Sequence, residues 1–125
     1  MVTEPPLGMG FKFWLKFGSN PILGPGDIKL LEALQQHKNL TKAAEECGYS
    51  YKYAWGKLQA VTKKTRKAVV DAQKGGKGGG GSVVLSAWGM YLLQVYQFIN
   101  NQTIEFVEKL NSQIEQYSSE SLSLK

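Results

Sequence analysis

Residues 40–65 read LTKAAEECGYSYKYAWGKLQAVTKKT, and this stretch decides the fold. A short helix is expected over 42–47, with Thr41 as its N-cap and Glu45 one place beyond the capping-box position. Gly48 stops it, because glycine takes the positive φ of a helix C-cap at no steric cost. Ser50 then opens a longer helix running to about Thr65. Two helices joined by a glycine-containing turn make a helix-turn-helix, whose second helix lies in the major groove of DNA and meets base edges through its N-terminal residues.

Rotation by about 100° per residue gathers Ala54, Leu58 and Val61 on one face of that second helix, with Tyr51 and Trp55 turned partly inward. The opposite face carries Lys52, Tyr53, Gly56, Gln59, Ala60 and Lys63. Lys52 can donate to guanine acceptors, and Gln59 to adenine if it reaches. Gly56 costs about 1 kcal/mol inside a helix, and close approach to DNA would favour it. The alternative for Lys52, Lys57 and Lys63 is a solvated face.

Moving outward, residues 11–17, FKFWLKF, are aromatic, bounded by glycines, and predict a strand; 19–26 predict a loop. Pro25 and Asp27 suit the first turn of a helix whose apolar stripe is Ile28, Leu30, Leu31 and Leu34, ending near Lys38. On the other side, the β-prone runs 68–72 and 83–85 flank a glycine-rich turn and predict a hairpin. From Ser86 a helix is expected to about Tyr117, on the order of 48 Å at 1.5 Å per residue. Leu85, Trp88, Leu92, Val95, Ile99, Phe106, Leu110, Ile114 and Tyr117 follow spacings close to a heptad seam. One small head cannot cover such a seam, so a homodimer is expected, with Trp88, Leu92, Val95, Ile99, Phe106, Leu110 and Ile114 at its interface.

Charge supports a polyanionic partner. The 125 residues carry a net charge of +5, with a pI near 9.3 and a mean hydropathy of −0.27. Residues 41–82 hold nine Lys or Arg against three acids, a surplus of six, while 1–40 have a surplus of one and 83–125 a deficit of two. Positive charge concentrated in one third of the chain is the footprint expected of a nucleic-acid binder. Lys63, Lys64, Arg66 and Lys67 close the second helix and enter the hairpin as candidate phosphate clamps.

The run 75–82, GGKGGGGS, has no Ser or Thr after its lysine, so it is not a P-loop. Its end spells a flexible linker, but its β-prone flanks favour a wing tip, with Lys74 and Lys77 supplying charge to phosphates or the minor groove. The chain has one cysteine, Cys47, expected as an inert packed thiol, and one histidine, His37, so no disulfide or metal constellation is in view. No nucleophile with a base at plausible spacing appears, so neither an enzyme nor a cofactor is expected. The N-terminus lacks a signal-peptide pattern, and the uncharged stretch 78–104 is too polar for a bilayer span. A cytoplasmic protein without membrane contact is expected.

The stretch 40–55 resembles the helix-turn-helix of the ModE-type molybdate-responsive regulators, particularly at Ser50-Tyr51-Lys52-Tyr53-Ala54-Trp55. So do the glycine run 75–81, Leu85-Ser86-Ala87-Trp88-Gly89 and Leu92-Leu93, and the resemblance covers about residues 11–97. It implies a dimerising winged-helix DNA-binding domain, with DNA-contacting positions at Ser50, Tyr51, Lys52, Tyr53 and the wing. Members often carry a C-terminal oxyanion-binding domain, for which these 125 residues leave no room, so no small-molecule effector is expected.

The expected fold is mainly α with a small β wing, a winged helix-turn-helix with a long C-terminal helix. An arm and strand over 1–24, a DNA-binding domain over 25–85 and a dimerisation helix with tail over 86–125 complete the layout. The expected function is regulation of transcription as a DNA-bound homodimer. A DNA-coating nucleoid protein and a protein-interaction module built on the long helix are the alternatives.

Overall fold

A computed structural model describes residues 7–73 and 82–123, with the side chains of 73 and 118–123 outside that description. The wing-tip residues Lys74 and Lys77 and the glycine run 75–81 lie outside the described residues. The elements are β1 (Leu15–Phe17), β2 (Asn20–Leu23), α1 (Pro25–His37), α2 (Leu40–Cys47), α3 (Tyr51–Thr65), β3 (Val70–Gln73), β4 (Ser82–Leu85) and α4 (Ala87–Ser123). They fall into two compact units, one of residues Phe13–Tyr96 and one of Met1–Lys12 with Gln97–Lys125. The structure is the expected mainly helical, α+β winged architecture with a long C-terminal helix.

In the larger unit, α1 begins with Pro25 in its first turn, and Asp27 Oδ2 accepts from the Gly24 N–H at 2.8 Å. Its stripe of Ile28, Leu30, Leu31 and Leu34 is buried. Lys38 takes a left-handed conformation, and α2 follows at once. Here the cap differs from the sequence expectation. Asn39, not Thr41, caps α2, its Oδ1 accepting from the Lys42 N–H at 2.9 Å. Asparagine and threonine are both good caps, and the earlier one brings Leu40 into the helix, where it is buried. Gly48 closes α2 at φ 73°, as expected. Cys47 is partly buried, and that burial pushes its thiol up from the ordinary range.

The N-terminal strand is shorter than expected, and the expected loop contains its partner. β1 pairs antiparallel with β2 across Gly18, which stands at φ 64°. Pro21 sits in β2, tolerated because a two-stranded ribbon leaves one side of each strand unpaired. Ile22 and Leu23 turn into the core, and Phe13 stacks on Tyr96 with ring centroids 4.3 Å apart.

β3 and β4 pair in register from Val70–Leu85 to Gln73–Ser82, forming the expected hairpin. Its base is locked to the start of α4. The Ser86 N–H donates to the Val69 carbonyl at 2.9 Å, and Ser86 Oγ accepts from the Gly89 N–H at 3.0 Å, capping α4 as expected. The inner face of α4's first turns consists of Leu92, Leu93 and Tyr96. Leu92, expected on an intersubunit seam, is 4% exposed and packed in the core of its own unit. The head needs an apolar lid, and the helix that leaves it provides one. Trp88 and Val95 are half-buried in the same unit.

In the smaller unit, the described part of the arm is tied to α4 at Asn111. The Met9 N–H donates to Asn111 Oδ1 at 2.7 Å, and Asn111 Nδ2 donates back to the Met9 carbonyl at 3.4 Å. Leu7, Phe11, Phe98, Ile104, Phe106 and Tyr117 are all exposed. Ile99, Leu110 and Ile114 are half-buried. Among the described residues, no helix is long and apolar enough to cross a membrane.

Candidate nucleic-acid interface

α3 is held by its own sequence. Ser50 Oγ accepts from the Tyr53 N–H at 3.1 Å, and Ala54, Leu58 and Val61 are buried on the inner face. Lys52, Tyr53, Gly56, Gln59, Ala60 and Lys63 are all exposed, as the helical rotation predicts. Tyr51 is not turned inward as expected but is 53% exposed. It lies in the first turn of the helix, before the core-facing stripe begins at Ala54. Trp55 packs partly against the core. Lys52, Lys63 and Arg66 are exposed and make no ion pair among the described residues.

The other three cations of residues 52–67 are engaged within the chain. Lys57 Nζ pairs with Asp27 Oδ1 at 3.0 Å and stands 5.2 Å from the centroid of the Tyr53 ring. Burial opposes the charge of this ammonium, but the hydrogen bond and carboxylate of Asp27 outweigh it and hold the Lys57 pKa above its ordinary value. Lys64 Nζ donates to the Pro21 carbonyl at 3.0 Å. Lys67 Nζ lies 4.5 Å over the ring of Trp88. Within residues 52–67, a charge run that reads alike along the sequence therefore separates into Lys52, Lys63 and Arg66, without an ion pair among the described residues, and Lys57, Lys64 and Lys67, which also tie elements together.

Two of these ties had no signal in the sequence. Asp27 and Lys57 are thirty residues apart, and Asp27 reads there only as a first-turn acid. Thr65, in the last turn of α3, is 3% exposed; its hydroxyl donates to the Val61 carbonyl at 2.9 Å and accepts from Trp88 Nε1–H at 3.1 Å. Trp88 thus joins the end of α3 to the start of α4. Between them Arg66 takes φ 60°, a left-handed turn that directs the chain toward the wing.

The outer face of α3 carries an open depression of about 550 Å³, lined by Ser50, Lys52, Tyr53, Gly56, Lys57 and Ala60. The Tyr53 ring is braced edge-on by Tyr49, with centroids 4.9 Å apart at 71°. A Cβ built on Gly56 would meet nothing within 4 Å, so packing within the chain does not demand glycine there.

No protein-family model matches the chain. Among known proteins, it is 33% identical over 87 residues to the molybdenum transport protein ModE of Herbaspirillum seropedicae, covering 70% of this chain and 32% of that protein. It is 32% identical over 85 residues to the DNA-binding transcriptional dual regulator ModE of Escherichia coli K12, covering 68% of this chain and 32% of the relative. The molybdenum-pterin-binding protein MopB of Rhodobacter capsulatus is 39% identical over 74 residues, 59% of this chain and 27% of its own length. The chain thus spans about a third of the length of the relatives it matches. Over these matched residues, the chain is similar to the ModE-type proteins.

Proposed function

We propose that this protein binds double-stranded DNA as a homodimer and regulates transcription. α3 enters the major groove, and the hairpin of β3 and β4 lies against the backbone or minor groove. Residues 25–85 form the DNA-binding domain, and the helix beyond Ser86 brings two chains together. The observation that carries the proposal is the outer face of α3, which presents Lys52 and Lys63 without ion partners among the described residues, beside two exposed tyrosines and an unfilled glycine. Tyr51 and Tyr53, each 53% exposed, are poor choices for a surface that only needs charge. Kinship with regulators of this type supports the same reading.

Lys52 leads the helix and is assigned to a base edge, whereas Lys63 and Arg66 are assigned to phosphates. Lys52→Ala should weaken a preferred duplex by about 1–3 kcal/mol and random duplex much less. Lys63→Ala with Arg66→Ala should weaken both about equally and reduce the slope of log K against log salt by about 1.8, near 0.9 for each phosphate no longer neutralised. Anisotropy titrations of a labelled duplex across a salt series measure both. If Lys52→Ala weakens all DNA alike, the chain is a DNA coater rather than a specific regulator. Affinity independent of salt would contradict DNA binding by this face altogether.

A further inference from the structure

We propose that the depression on α3 reads thymine through its 5-methyl group, an inference that rests on α3 being a DNA-reading helix. Tyr53, Gly56, Lys57 and Ala60 follow one another at i, i+3, i+4 and i+7, so they share one face of the helix. Gly56 and Ala60 form a floor without functional groups. The Tyr53 ring makes one wall and is fixed against Tyr49. Lys57 makes another, and because its ammonium is held by Asp27 at 3.0 Å, it offers the depression its methylene stem. The result is an open, largely apolar depression that Ser50 also lines, set on the most basic third of the chain, with Lys52 at its rim.

That combination selects its occupant. The surrounding charge complements a polyanion, and the thymine methyl is the one apolar group that base pairs present in the major groove. The Gly56 and Ala60 floor offers no side-chain acceptor for the amino hydrogens of adenine or cytosine, and burying such a donor without a partner is unfavourable. Lys52 at the rim can donate to thymine O4 or to an acceptor on the adjoining base. A glycine inside a recognition helix, disfavoured by propensity and not required by internal packing, then has a cause: any larger side chain would occupy the space the methyl needs.

The test uses the full chain and its preferred duplex, obtained by selection from a random pool. Each thymine is replaced in turn by deoxyuridine, which keeps the pairing and O4 and removes only the methyl. At one position in each half-site, the exchange should weaken binding about fourfold, the worth of one buried methyl group, and about fifteenfold when both half-sites are changed. Gly56→Leu fills the recess on an open helix face; it should bring the thymine-to-deoxyuridine ratio at that position to one while the salt dependence persists. Tyr53→Phe keeps the wall and should keep the ratio. Equal binding of thymine and deoxyuridine at every position of a specifically bound duplex would overturn the methyl reading and leave DNA recognition standing. A ratio that survives Gly56→Leu would overturn it too, since the methyl would then be read elsewhere. Absence of any salt-dependent binding would remove DNA recognition itself, and the methyl reading with it.

Discussion

The proposed homodimer should dissociate when Phe106→Asp is combined with Leu110→Asp: the variant is expected to sediment as a monomer and the unaltered protein as a dimer. In the smaller unit, one stretch of α4 with a short arm, large apolar residues are exposed. Phe106 is 53% exposed and Phe98 65%. Ile99, Phe106, Leu110 and Ile114 recur at near-heptad spacing, as two helices sharing a seam require. Burying a Phe or Leu is worth about 1.5–3 kcal/mol, and two-fold symmetry counts each substitution twice, so the pair removes roughly 6–12 kcal/mol. That is the whole association energy of a micromolar to nanomolar dimer. The variant's helical circular dichroism should change little. If the double variant remains dimeric, the contact lies elsewhere, and the exposed Trp14 and Phe17 of the first hairpin are the next surface to test.

The second large effect concerns stability. Gly89→Ala should destabilise the larger unit by about 1–3 kcal/mol or more, even though alanine is the better helix former. A Cβ on Gly89 would collide with the carbonyl oxygen of Val69 and press on its Cγ1. That carbonyl also accepts the Ser86 N–H at 2.9 Å, and Val69 is fully buried, so neither side can yield without opening the joint between wing and helix. For a unit of this size, the melting temperature should fall by about 4–8 °C per kcal/mol. Gly56→Ala is the matched control. Its Cβ meets nothing, so the same exchange there should raise stability by about 0.5–1 kcal/mol. Thermal melts of the two variants should move in opposite directions. A Gly89→Ala chain as stable as the parent would contradict the packing described at the joint.

What could be read from the sequence was local. Ser50, Gly48 and the Ala54-Leu58-Val61 stripe are legible because cap and stripe are encoded within a few residues of the structure they specify. The wing was legible from two β-prone runs on either side of a glycine turn. What escaped depended on residues far apart or on a choice between equals. Asn39 and Thr41 are both competent caps, and propensity does not choose between them. β2 was hidden by Pro21, which argues against a strand until the strand is known to be one side of a ribbon. On α4, Leu92 and Leu93 are adjacent, and a heptad template takes Leu92 for a partner chain, whereas the head buries both. The Asp27–Lys57 and Thr65–Trp88 contacts arise from tertiary packing. They change the site itself, since Lys57 and Lys67 belong to ties within the unit as well as to a basic surface.

Selection of duplexes from a random pool by the 125-residue chain tests the central claim most directly. A homodimer reading DNA through α3 should enrich a two-fold palindrome whose half-sites lie about one helical turn, some 10 base pairs, apart. Repeating the selection with Lys52→Ala should lose the preference at the contacted base pair and leave the half-site spacing unchanged. A pool that stays random through successive rounds, although the protein retains it on the column, would contradict sequence-specific recognition by this helix.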